Sequence, residues 1–124
     1  MSMLHAEWYE KASLCNKRKV GAVVVSDKGN LLSWGVNHGL GEVCNCDMNA
    51  KNPNVIHAEV MAIENAPPNA MVNGSIYVTY MPCLDCAKKI VDAGIIKVVY
   101  RDESNNVEGR DYLQKYYVTV TKSE

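Results

Sequence analysis

Two short stretches carry side chains that could do chemistry. One is "HAE" at 57–59, heading an apolar segment; the other is "PCLDC" at 82–86, where a strand-like run gives way to a helix-like one. A histidine and a glutamate two apart at a helix start are ordinarily a capped, solvated first turn, so the first stretch says little alone. Cys83 and Cys86 are three apart at the opening of a helix, so their sulfurs share a face, and the positive end of the helix dipole favours their thiolates. Three readings compete: a thioredoxin-type redox pair, a structural zinc knuckle and a catalytic zinc. A redox pair needs no distant histidine. A structural site needs four protein ligands, and His57 is the one strong further candidate near the cysteines. His57, Cys83 and Cys86 make three ligands and leave one tetrahedral position for water, the mark of a catalytic zinc. Glu59, on the same first turn as His57, is then placed to take a proton from that water without ligating the metal.

The elements that must position these residues follow from pattern. Residues 3–12 read as a helix, with Leu4, Trp8 and Ala12 at four-residue spacing on one face. "VGAVVVS" (20–26) and "NLLSWGV" (30–36) read as strands joined by the turn residues Asp27, Lys28 and Gly29. Asn37 to Asn54 is polar, contains glycine and two cysteines, and reads as a loop; a loop of that length in a small domain is usually functional or tied by a metal. The helix beginning near His57 stops at Pro67 and Pro68, because proline lacks the amide proton and disfavours helical geometry before it. "NG" at 73–74 turns the chain. A strand "SIYVTY" (75–80), a helix from about Leu84 to Ala93 ended by Gly94, and a strand "IIKVVY" (95–100) form a crossover joining parallel strands. Ligands bind beyond the carboxyl ends of such strands, and Pro82, Cys83 and Cys86 lie there. A helix near 109–115 and a strand "YYVTV" (116–120) complete a mixed sheet of about five strands.

Bulk properties narrow the partner. The chain has 124 residues, 48% hydrophobic and 22% charged, which suits one soluble globular domain spanning 1–124. Net charge is -1 and the basic residues are scattered apart from "NKRK" at 16–19, so the stripe expected of a protein gripping long nucleic acid is missing and a small-molecule partner is expected. No signal-peptide pattern and no membrane-length apolar run occur, and the chain reads as cytoplasmic. Five cysteines, an odd number, favour metal ligation over a disulfide framework. Cys15, Cys44 and Cys46 remain after the first site is assigned. A hairpin would bring the first, which precedes one strand, toward the other two, which follow its partner. They are candidates for a second zinc, with His38 or His5 as fourth ligand, or else three unrelated cysteines.

His-x-Glu with a later Pro-Cys-x-x-Cys is the signature of zinc deaminases. The chain resembles the cytidine deaminase superfamily and, within it, the deoxycytidylate (dCMP) deaminases. The resemblance runs from "KRKVGAVVVSDKGNLLSWGVN" through "VIHAEVMAIENA" to "GSIYVTYMPCLDCAKKIVDAGIIKVVY" and a last helix and strand. It implies a three-layer α/β/α sandwich around a five-stranded mixed sheet. It also implies zinc on His57, Cys83 and Cys86, proton shuttling by Glu59, nucleoside contact by Asn37, and hydrolytic deamination of dCMP, with C5-modified forms such as 5-methyl-dCMP as further substrates. Met81 before Pro82, where tRNA adenosine deaminases usually carry Glu, points to the dCMP branch. "NHGLGE" after Val36 departs from the branch's usual Asn-Gly-x-Pro-x-Gly. Lys17, Arg18 and Lys19 form the one basic cluster and are candidates for the substrate phosphate, though a charged, solvated turn has the same composition; Gly39 and Gly41 offer a weaker amide cradle. Some phage relatives carry a second, structural zinc, and relatives assemble as dimers or hexamers and respond to dCTP and dTTP, so a homo-oligomer is expected. Rival readings are a deaminase of free cytosine, guanine or tRNA adenosine, and a non-catalytic zinc-binding interaction module, which would have no use for Glu59.

Overall fold

A computed structural model describes residues 3–11, 19–39 and 55–123. Its elements in chain order are α1 (Met3–Glu10), β1 (Gly21–Val25), β2 (Leu31–Val36), β3 (His38–Gly39), β4 (Val55–Ile56), α2 (Ala58–Asn65), a 3-10 turn (Pro68–Met71), β5 (Ser75–Tyr80), α3 (Leu84–Asp92), β6 (Lys97–Asp102), α4 (Glu108–Lys115) and β7 (Thr119–Lys122). The five longer strands form one sheet in the order β2-β1-β5-β6-β7. β1 is antiparallel to both β2 and β5, while β5, β6 and β7 run parallel, each joined to the next through a helix, so the sheet is mixed as the sequence leads one to expect.

Alternation along the strands splits the core between two faces. Ala22, Val24, Ile76, Val78, Val98 and Tyr100 point to the side covered by α2, α3 and α4, where they meet Ala62, Ile90 and Leu113. Val23 and Val99 point the other way and meet Met3 and Ala6 of α1. The result is the three-layer α/β/α sandwich, with α1 on one side and α2, α3 and α4 on the other among the described residues.

Several boundaries differ from the sequence reading. α1 ends at Glu10, Ala12 lies outside the described residues, and the face carrying Leu4 and Trp8 is outermost, both more than 70% exposed, because Met3 and Ala6 are the side chains turned to the sheet. The expected loop, Asn37 to Asn54, begins in structure: His38 and Gly39 pair with Ile56 and Val55, which follow it, as a two-stranded ribbon, while residues 40–54 lie outside the described residues. β6 starts at Lys97, not Ile95. Ile95 donates its amide to Ile90 at the end of α3 and Ile96 donates to Gly74, so both residues are used in entering the sheet, and the ladder with β5 runs on to Tyr80↔Asp102. β7 starts at Thr119 because Tyr116, Tyr117 and Val118 give their amides to carbonyls of α4, with Tyr117 at a φ of 65° reversing the chain.

α1 is fixed to the sheet by Arg101 of β6. Its guanidinium donates to Glu7 (3.1 Å) and to both oxygens of Glu10 (3.1 and 2.7 Å) on α1, and to Asp102 beside it. Arg101→Ala leaves three carboxylates facing one another. The group is partly exposed, so the expected loss is modest, about 1–2 kcal/mol. Thermal unfolding at low and at about 1 M salt checks this: the difference from the wild type shrinks with salt, because screening weakens both the lost attraction and the new repulsion. A salt-independent loss would make Arg101 a packing residue.

Candidate metal centre

His57 is the residue at which β4 turns into α2. Its carbonyl accepts the first helical hydrogen bond, from Met61 N (3.1 Å), while its imidazole makes no capping bond. The side chain is therefore not spent on the helix and faces the opening of α3. Cys83 holds the corresponding place there: its carbonyl accepts from Ala87 N (2.9 Å), with Cys86 in the first turn. Two helix starts on the same side of the sheet thus bring the three side chains together, with His57 Nδ1 at 3.2 Å from Cys86 Sγ and 3.6 Å from Cys83 Sγ. All three ligand atoms lie within 4.8 Å of one another.

That spacing fits zinc. Bonds of about 2.1 Å to nitrogen and about 2.3 Å to sulfur at tetrahedral angles separate the two ligand atoms by about 3.5 Å. The protonation pattern fits as well. A hydrogen bond from Cys86, reinforced by His57, lowers the Cys83 thiol to about 4, so one thiolate is present at neutral pH. Cys86, the partner that gives up the hydrogen bond and is itself buried, is pushed well above the ordinary thiol range. His57 is raised, chiefly by its hydrogen bond with Cys83. Metal binding at such a site releases protons from Cys86 and His57.

Glu59 is buried, at 4% exposed, within hydrogen-bonding reach of Cys86. Burial raises its carboxyl from the ordinary 4.5 to about 7, against the opposing charge of His57. The folded value lies above the unfolded one. In the zinc-free protein this group therefore stabilises the fold fully below about pH 4.5, and the contribution falls as pH rises to about 7, by about 1.4 kcal/mol per unit. Urea unfolding of the metal-stripped protein across that range checks it: Glu59→Gln, neutral throughout, should flatten the slope relative to the wild type. Equal slopes in both would place the titration elsewhere.

The other expected site residues fare differently. Asn37 is fully buried at the end of β2, and its Oδ1 accepts from Val20 N (2.8 Å), tying the start of β1 to the end of β2. Lys19 is exposed, next to Val20. Lys17, Arg18, Cys15, Cys44, Cys46 and Gly41 lie outside the described residues, so the basic cluster is described in part and the second cysteine group not at all. His5 lies on α1 and His38 in β3. Among the described residues, His57, Cys83 and Cys86 are the one His/Cys/carboxylate group placed to hold a metal.

Sequence reasoning passed over the residues that let the helices come close. A Cβ on Gly35 would lie 2.2 Å from the carbonyl oxygen of Ala58, and one on Gly109 would lie 2.2 Å from that of Pro82. Nearby, Ser33 Oγ donates to Ala62 O (2.5 Å) and holds α2 to β2. An isolated glycine inside a strand pattern signals close backbone approach, and Gly35 within "LLSWGV" carried that signal.

Comparison with known proteins agrees with this geometry. Residues 1–102 match the family model of the cytidine and deoxycytidylate deaminase zinc-binding region. Human deoxycytidylate deaminase is 32% identical over 96 residues, covering 68% of this chain and 53% of the human protein, so the chain spans about half the length of that relative. The deoxycytidylate deaminase of Mycobacterium phage D29 is 30% identical over 107 residues, covering 73% of this chain and 83% of the phage protein. The solved structure of the dCMP deaminase from cyanophage S-TIM5, in complex with dCMP and dUMP, superposes with a TM-score of 0.83 at 35% identity, covering 98% of this chain and 93% of that one. With the family model matching most of its length, this chain belongs to the zinc-binding cytidine and deoxycytidylate deaminase family.

Proposed function

We propose that this protein is a zinc-dependent dCMP deaminase, converting dCMP and water to dUMP and ammonia. The observation that carries the reading is a buried Glu59 set against a His57–Cys83–Cys86 triad of zinc-like spacing. The likeness over nearly its whole length to a phage enzyme solved with dCMP and dUMP supports the substrate.

His57, Cys83 and Cys86 would hold the ion. Zinc bound there would supply an acidified water, with a pKa of about 7. The remaining work falls to the chain. Glu59 takes the proton that water surrenders as it adds to C4 of the cytosine ring, and delivers it to N3. It then takes the proton of the new C4 hydroxyl and passes it to the exocyclic amine, so that the C4 carbonyl forms as the C4–N bond breaks and ammonia departs. The burial that raises the Glu59 carboxyl to about 7 keeps it able both to accept and to donate near neutral pH. Asn37, fixed by Val20, would orient the nucleoside, and one or more of Lys17, Arg18 and Lys19 would meet the phosphate. The direct support for that is position: Lys19 adjoins the Val20 amide that holds Asn37.

The finer parts of the reading are a second zinc, regulation and assembly. Gly21 pairs with Val36, so the segments bearing Cys15 and Cys44–Cys46 leave the same end of one hairpin, which supports a structural zinc there. A homo-oligomer, dimer or hexamer, regulated by dCTP and dTTP and working on cytoplasmic nucleotide pools, completes the reading by analogy with relatives.

Ammonia release tests it, with dCMP, 5-methyl-dCMP, deoxycytidine, cytosine, guanine and a tRNA anticodon stem as substrates, and zinc per chain measured on the same sample. Turnover confined to the 5′-monophosphates is expected, with close to two zincs per chain. Turnover of a free base or of the tRNA stem instead moves the protein to another branch of the family, and bound zinc without any turnover overturns the catalytic reading.

A further inference from the structure

We propose that Gly109 is a positioning residue for the metal centre, setting where Cys83 sits; this rests on the reading of Cys83 as a zinc ligand. Gly109 lies in the first turn of α4 and is buried. A Cβ there would meet Pro82 O at 2.2 Å and the carbonyl carbon and oxygen of Cys83 at 2.8 Å each, where real Cβ atoms keep beyond 3.0 Å. All three atoms are backbone, so no side chain can swing aside to relieve the contact. α4 thus presses its bare backbone onto the peptide that carries the first metal-binding cysteine.

That peptide is held on its other side too. Met81 N donates to Asp102 O (3.0 Å), fastening the segment to β6 as it leaves β5. The Cys83 carbonyl receives the Ala87 amide and so starts α3, the helix that carries Cys86. A shift of the 82–83 peptide therefore moves both sulfurs, while His57 stays with α2. The start of α4 is itself set by Asn106, whose Oδ1 accepts from Glu108 N (3.0 Å), and its inner face by the fully buried Leu113. Position runs from Asn106 through Gly109 to Cys83, across a helix that supplies no ligand.

Gly74 provides the matched control. A Cβ there would lie 2.3 Å from Val25 O and 2.9 Å from Met71 O, a backbone clash of similar severity, but at the opposite end of β5 from the metal centre. The experiment compares Gly109→Ala with Gly74→Ala in the full chain. It reads zinc release to a chelator, the thiolate and ligand-field absorption of the cobalt-loaded protein, and thermal unfolding. Both variants should melt earlier. Gly109→Ala alone should weaken zinc binding, by about 10- to 100-fold as for other residues that orient ligands, and alter the cobalt bands. Asn106→Ala, which adds no atom, should speed zinc release in the same direction by a smaller factor, and covers the case in which Gly109→Ala does not fold. Wild-type release and spectrum in Gly109→Ala, equal changes in Gly74→Ala, or unchanged release in Asn106→Ala overturns the proposal. A wild-type protein lacking thiolate-to-cobalt absorption would instead overturn the ligand assignment beneath it.

Discussion

In the proposed reaction, Glu59→Gln is expected to lower dCMP turnover by about 10²- to 10⁴-fold, the range of general acid-base catalysis, and to leave the zinc content unchanged. Glutamine keeps the shape and a hydrogen-bonding end in the buried space where Glu59 sits. It cannot accept a proton from water, nor carry one to N3 and the amine. The three candidate ligands come from other side chains, His57, Cys83 and Cys86, whose donor atoms lie within 4.8 Å of one another without any contribution from Glu59. Turnover and zinc per chain must be measured on the same preparation, because the pair of results carries the meaning. Lost activity with retained zinc makes Glu59 the proton carrier. Zinc lost along with activity makes it a fourth ligand, and the centre becomes a closed structural site. The substitution also flattens the pH slope of the metal-stripped protein, which links the same carboxyl to the stability measurement.

Gly35→Ala destabilises the protein by about 3 kcal/mol, at the upper end for overpacking, and disables the molecules that still fold. The added methyl would lie 2.2 Å from Ala58 O and 2.6 Å from Ala62 N, so α2 must lift from β2. Lifting strains the Ser33 hydroxyl bond to Ala62 O and displaces the end of the helix that carries His57 and Glu59. Denaturant unfolding measures the first effect. Turnover well below the melting temperature measures the second. An unchanged unfolding midpoint would mean that α2 can slide over β2 at little cost, and the close approach would then have no part in holding the centre.

The two chemical stretches were legible because their meaning is local. Spacing of three on a helix start puts Cys83 and Cys86 on one face whatever surrounds them, and prolines 67 and 68 end the α2 segment by their own covalent structure. β5, bounded by Gly74 and Pro82, was read to the residue, since a missing side chain and a missing amide mark its ends. The strands β6 and β7 were read two and three residues early. "II" at 95–96 and "YY" at 116–117 have strand-forming side chains, but the amide of Ile95 is claimed by the end of α3, that of Ile96 by Gly74 just before β5, and those of Tyr116 and Tyr117 by the end of α4.

Tertiary structure alone decided which face of α1 is inward, because the apolar spacing of Leu4 and Trp8 competed with Met3 and Ala6, and close approach of helix to sheet favours Ala6 over the bulk of Trp8. It decided that Asn37 ties two strands together while standing at the end of β2. It also decided how far His57 lies from two cysteines 26 and 29 residues away. The identity of the ligands was written in their side chains. Their separation was not: it depends on how closely α2 and α4 can pack against β2 and the 82–83 peptide, and that limit is set by side-chain atoms absent from Gly35 and Gly109.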